Sequence, residues 1–212
     1  MKRGITVLLV LSFILLLSCS KNRVKNEASA HADPAHRDIE TVFHTVCSAD
    51  EALELSRKTN AVVFERQGCT SGSDVWDSFY QAAMRKTPAA VLCAHYYTLD
   101  KEQMSEALYE EEKDRYPQLF FYLVEYDGKE YAVKTRESDS EALDTQDTFR
   151  YLLHFTGDAP SSALYASYDN YVLVDDPAAT WDGILAGLAS SQSGAGYKHC
   201  TVYRNYLGWT GG

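Results

Sequence analysis

Cys69 is the side chain whose surroundings in the chain best suit it for chemistry. It closes the run Ala61-Val-Val-Phe-Glu-Arg-Gln-Gly-Cys69, an apolar β-branched strand that ends in a short turn ahead of a helix expected from Ser73. Helix N-termini carry unpaired N–H groups and partial positive charge, which favour a thiolate. Arg66 adds to that effect, whereas Asp74 and Asp77 in the first helical turn oppose it, so modest activation is expected. Three residues on, where a second thiol would complete a Cys-x-x-Cys pair, stands Gly72.

The other thiols are Cys19, Cys47, Cys93 and Cys200. No pair has zinc-ligand spacing, so neither a structural metal nor a cofactor is expected. If Cys19 is set aside, the remaining four permit two bridges in three connectivities, Cys69–Cys200 and Cys47–Cys93 among the pairings. Cys93 falls in mid-strand and is expected to be buried and inert. His95 shares its strand face and His199 adjoins Cys200; each reads as structural. His31 and His36 lie in the polar tether, where two histidines carry no expected role. Ser71 and Ser73 flank Gly72 without completing a Gly-x-Ser-x-Gly elbow, so they read as helix caps and not as hydrolase nucleophiles.

The N-terminus sets the compartment. Lys2 and Arg3 precede an apolar run from Ile5 to Leu17, too short to span a bilayer and typical of a cleaved export signal. Its end, Leu16-Leu-Ser-Cys19, resembles the lipobox of bacterial lipoproteins, which implies cleavage before Cys19 and lipid on its sulfur and amino group. Several acyl chains make a stable anchor. The 194 residues that remain would carry 18 basic and 30 acidic side chains. That balance argues against nucleic acid and anionic lipid headgroups as partners. Export also lets disulfides persist.

The elements that must position Cys69 follow from patterning. Residues 19–40 read as the lipidated Cys19 and a tether, its coil spanning roughly 25 Å. Expected next are a strand at Thr41–Cys47 and a helix opened by the capping box Ser48-Ala-Asp-Glu51 and reaching Lys58. A strand at Ala61–Phe64, a helix at Ser73–Lys86, a strand at Ala89–Tyr97 and a helix at Lys101–Lys113 continue the alternation. A hairpin turning at Asp127-Gly128 joins Gln118–Glu125 to Glu130–Lys134. A helix at Gln146–Phe155 closes the domain. Residues 158–212 read as an extension packed on it, with strands at Tyr171–Val174 and Cys200–Tyr206, a helix at Trp181–Leu188 and a glycine- and serine-rich break at Ser190–Gly196. Its tyrosines (165, 168, 171, 197, 203 and 206) and Trp209 read as packing surface.

Over Thr41–Gly157, about three-fifths of the exported chain, this order resembles thioredoxin-like proteins. Phe64 stands five residues before Cys69, Tyr116-Pro117 precedes an apolar strand, and that strand ends in Asp-Gly. The resemblance implies an α/β fold, a thioredoxin-like three-layer sandwich with a central mixed sheet. It places Cys69 at the nucleophile position. It makes Pro117 the family's cis-proline, whose loop with Tyr116 would lie beside the sulfur and bind extended peptide. The departures are Gly72 at the resolving position, Gly68 in place of the usual Trp, and Val63 in place of a buried carboxylate.

Together these remove the dithiol cycle. Two functions remain on the residues. One is thiol–disulfide exchange on an envelope protein or peptide substrate through Cys69, resolved by Cys200 or an external thiol. The other is a redox-inactive scaffold that binds another envelope protein.

Overall fold

A computed structural model describes residues 34–160, 163–190 and 196–208. The export signal, Cys19, His31 and Trp209 lie outside the described residues. From Ala35 onward the chain forms one compact unit, a mixed α/β structure with two sheets.

The first element corrects the sequence reading. Pro34–His44 is a helix, α1, where part of the tether and the first strand were expected. Ile39, Val42 and Phe43 form its buried stripe at helical spacing. A window that opens at Thr41 misses Ile39 and sees only alternation. Thr41 and Thr45, good strand formers, are accommodated by donating their hydroxyls to the carbonyls of Arg37 and Thr41, 2.8 Å away in each case. The second helix, α2 (Ala49–Lys58), opens on the expected capping box: Ser48 N–H donates to Glu51 Oε2 at 3.1 Å and Glu51 N–H to Ser48 Oγ.

The next segments are β1 (Val62–Glu65), β2 (Gly68–Ser71), α3 (Ser73–Met84), β3 (Ala89–Tyr97), α4 (Glu106–Glu112), β4 (Gln118–Tyr126), β5 (Tyr131–Glu137) and β6 (Thr145–Phe149). The six strands form one sheet in the order β2-β1-β3-β4-β5-β6, with β1 parallel to β3 and all other neighbours antiparallel. Between β4 and β5 the Asp127 carboxylate accepts from the N–H groups of Lys129 and Glu130, and Gly128 takes φ +99°. That is the turn its sequence announces.

The helix expected at 146–155 is absent. Its residues form β6 and then β7 (Tyr151–Asp158), with the chain bending at Arg150 into a second sheet. Thr148, Phe149, Tyr151 and Phe155 favour strands, and Phe149 and Leu152 are buried on either side of the bend in one cluster. β7 pairs antiparallel with β8 (Ser167–Val174), which pairs with β9 (His199–Leu207). Between β8 and β9 lies α5 (Trp181–Ala189). The second sheet therefore begins inside the span expected to belong to the first domain.

Burial defines the layers. α1 and α2 cover one face of the six-stranded sheet, on Val63, Leu92, Phe121 and Leu123. α3 and the three-stranded sheet share its other face, through Trp76, Phe79, Leu173, Val202 and Tyr203. α5 covers the far side of the small sheet on Val172 and Val174. That adds a layer to the three expected.

Arg136 of β5 holds α1 in place. Its side chain is 1 % exposed. The guanidinium donates to the carbonyls of Phe43 and Thr45 at the α1 C-terminus and to those of Glu137, Ser138 and Ser140. It lies over the Phe43 and Phe121 rings at 5.6 and 5.3 Å. Carbonyl oxygens at a helix end carry partial negative charge, so a cation is stable there, and the Asp139 and Asp144 charges act in the same direction. Arg136→Met, which leaves those carbonyls unmatched, is expected to cost about 2–4 kcal/mol. The urea midpoint should fall with little change in slope.

Candidate functional site

Cys69 lies on β2, not directly at a helix start. β1 turns back through Arg66 and Gln67, at φ +48° and +71°, and Glu65 pairs with Gly68. Two left-handed residues in a two-residue loop make a type I′ hairpin, which Asn-Gly would have announced and Arg-Gln does not. β2 then runs to Gly72, the N-cap of α3, which has φ +77°.

Gly72 explains the missing thiol. A Cβ there would meet the Ala61 carbonyl oxygen at 2.5 Å and Val62 Cα at 3.0 Å. The backbone crosses that point so closely that no side chain fits, and the positive φ disfavours one independently.

β9 covers the site. Tyr206 N–H donates to the Gln67 carbonyl at 2.9 Å, and Cys69 N–H donates to Asn205 Oδ1 at 3.1 Å. Tyr203 meets the Phe64 ring edge-on at 5.0 Å, and the Val202 carbonyl faces His95. Cys200 lies by Tyr122, and Lys198 reaches the Thr148 carbonyl and Asp147 at 3.0 and 3.1 Å. The contacts thus pass over β2, β1, β3, β4 and β6 in turn. Eight residues of strand span about 26 Å and five interstrand steps about 24 Å, so β9 runs nearly at right angles across the sheet.

This geometry decides the thiol pairings. Cys200 is five residues, roughly 16 Å, along β9 from the Asn205 that holds Cys69, whereas a disulfide needs Cα atoms about 4.4–6.8 Å apart. Cys200 is therefore not a resolving or bridging partner of Cys69. Cys93 packs on the β9 face of the sheet and Cys47 on the α1 face, so that pair is not joined either. Cys47 is not on a strand; it follows α1, and its N–H donates to the Ser138 carbonyl at 3.0 Å. All four described cysteines are free thiols.

Tyr116-Pro117 is a cis peptide, but its loop is not beside the sulfur. Cys69 pairs with Phe64, Phe64 with His95 and His95 with Phe120. Three interstrand steps, roughly 14 Å, therefore lie between Cys69 and the start of β4. Tyr116 and Pro117 belong to a different part of the sheet from the thiol because β3 is inserted between β1 and β4.

The electrostatics favour the neutral thiol. Burial pushes Cys69 up from its ordinary value, and Asp169 and Asp77 push the same way. The Tyr203 hydroxyl and a Ser71 backbone hydrogen bond pull against them. The sulfur donates to the Ser71 carbonyl at 3.5 Å. Burial holds Cys93 well above the thiol range and Cys200 at about 11. None of the three is poised as a nucleophile.

His95, which the chain order singled out only as Cys93's neighbour, proves to be central. It stacks on Phe64 at 4.3 Å and meets Tyr122 at 4.7 Å, with Nε2 buried and without a hydrogen bond. Burial, then the Arg204 charge, holds its pKa at about 3. Among the described residues no three His, Cys, Asp or Glu side chains gather as metal ligands. A shallow groove of about 410 Å³ at Asp127, Lys129, Glu130, Arg150 and Tyr151 carries charges of both signs and lies apart from the thiols.

Two outcomes follow. Protonation of His95 is disfavoured in the fold but free in the unfolded chain, so its contribution to stability is complete above pH 6.5 and lost as pH falls toward 3. That limb is worth on the order of 5 kcal/mol at most, and His95→Phe should flatten it in urea titrations at stepped pH. Gly72→Cys is expected to destabilise by about 2–4 kcal/mol. The introduced thiol should form no disulfide with Cys69, as measured by denaturation and thiol counting. No family model, curated protein or solved structure matches this chain, so its function has to be read from the residues and their geometry.

Proposed function

We propose that this chain is a lipid-anchored, extracytoplasmic lipoprotein whose thioredoxin-related domain is a redox-inactive scaffold for another cell-envelope protein. The observation that carries the reading is the setting of Cys69: under β9, with a neutral thiol, beside a Gly72 that has no room for a second one. Exchange needs a thiolate and a resolving thiol; the fold holds Cys69 toward the neutral form and, among the described residues, brings no second thiol of its own beside it. The Leu-Leu-Ser-Cys19 segment supports export and anchoring. The strand, cysteine and helix order supports kinship with thioredoxin-like proteins, although the inserted β3 separates the two halves of that family's site.

In a bacterial host, the wild-type chain should incorporate labelled palmitate and Cys19→Ser should not. Cys69→Ser should leave amine-reactive cross-links to envelope proteins unchanged. Mixed disulfides trapped on Cys69 by acid quenching would restore the exchange reading.

A further inference from the structure

The small sheet ends on β7 without a further neighbour: among the described residues its ladder pairs with β8 alone. Edge strands are ordinarily protected by lysine, proline or a bulge. β7, Tyr151-Leu-Leu-His-Phe-Thr-Gly-Asp158, has neither lysine nor proline, and its register with β8 is unbroken over eight residues.

α5 presents an apolar ridge above the same edge. Trp181 packs on Phe155 of β7 at 5.9 Å and on Tyr168 of β8 at 5.4 Å. Leu185 and Leu188 follow at i+4 and i+7 and continue the Trp181 face. The opposite face is occupied, since Gly183 and Gly187 sit against Tyr197 and Gly196 on the approach to β9. Yet Leu185 is 40 % exposed and Leu188 66 %, and Tyr151 on β7 is 39 % exposed.

An occupant that satisfies both features must bring a strand for the edge and an apolar layer above it. A lone extended peptide would pair with β7 and leave the leucines in water. We infer that the occupant is a second copy of this chain, related by a two-fold axis. The two β7 strands pair antiparallel into one continuous six-stranded sheet, and the two α5 ridges pack over the seam. Such an interface is self-complementary and closes at two subunits. Charge supports the choice. The chain carries −10 overall, so two copies meet with least repulsion where carboxylates are sparse. Across β7 and α5 the acidic residues are Asp158, at the strand's end, and Asp182, and beside Tyr151 the Asp127 and Glu130 carboxylates are accompanied by Lys129 and Arg150. His154 is turned to Asp169 on β8, 2.6 Å away. The inference is independent of the fate of Cys69.

The test is sedimentation of the full chain in detergent across a wide concentration range, with hydrogen exchange followed at the β7 amides. The expected result is a dimer whose β7 amides gain protection as it forms. Leu188→Glu, at an exposed position, should keep the melting temperature and weaken the dimer at least about tenfold. A monomer at every concentration would overturn the inference. So would a dimer indifferent to Leu188→Glu whose β7 amides exchange as in the monomer, or β7 protection that appears only on adding another envelope protein.

Discussion

The crossing of β9 over the six-stranded sheet is the constraint on which the rest depends. A strand that traverses a sheet at right angles meets the strands below it in turn, so each contact residue is fixed by its place along the crossing. Asn205 meets β2, Tyr203 meets β1, Val202 meets β3 and Lys198 meets β6. The bulge between β8 and β9, at Tyr171 and Val172, lets both Val202 and Tyr203 be buried in succession. Without that strand, Phe64, His95 and Trp76 would lose much of their cover, and the small sheet would lose its footing.

The same crossing determines what the cysteines can do. It places Tyr203 and the Asn205 side chain over β2, where an accessible thiol would need open space, and it spaces Cys200 away from Cys69. The result is a set of thiols that share a core without sharing a reaction. Burial raises all of them, and no nearby cation reverses the effect at Cys69. His95 follows the same logic, for a base held neutral among aromatic rings acts as a packing residue at ordinary pH.

Much of the architecture is legible in the chain itself. The capping box at Ser48, the Asp-Gly turn and the β-branched strands are local signals with local causes, and the structure contains each. The failures share a different cause. Thr41–Cys47 and Gln146–Phe155 have patterns that suit either period over a short window. Distant partners decide them: Arg136 at the end of α1, and the second sheet for β7. The Arg66-Gln67 hairpin carries no glycine or asparagine to mark it. Sheet order is the least local property of all. A strand–Cys–helix order with a later cis-proline is compatible with more than one arrangement, and the insertion of β3 between β1 and β4 is invisible to spacing. Gly72 is the instructive case. In the chain it looks like a lost cysteine; in the fold it is a point of close backbone approach that requires glycine.

Whether Cys69 is a neutral thiol under β9 is read from its alkylation by iodoacetamide as a function of pH. Peptide mass spectrometry would resolve Cys69 from Cys47, Cys93 and Cys200 in the folded protein. Slow modification with an apparent pKa above the ordinary thiol value of 9.0 is expected. Fast modification that levels off below about pH 7.5, the mark of an activated thiolate, would contradict it.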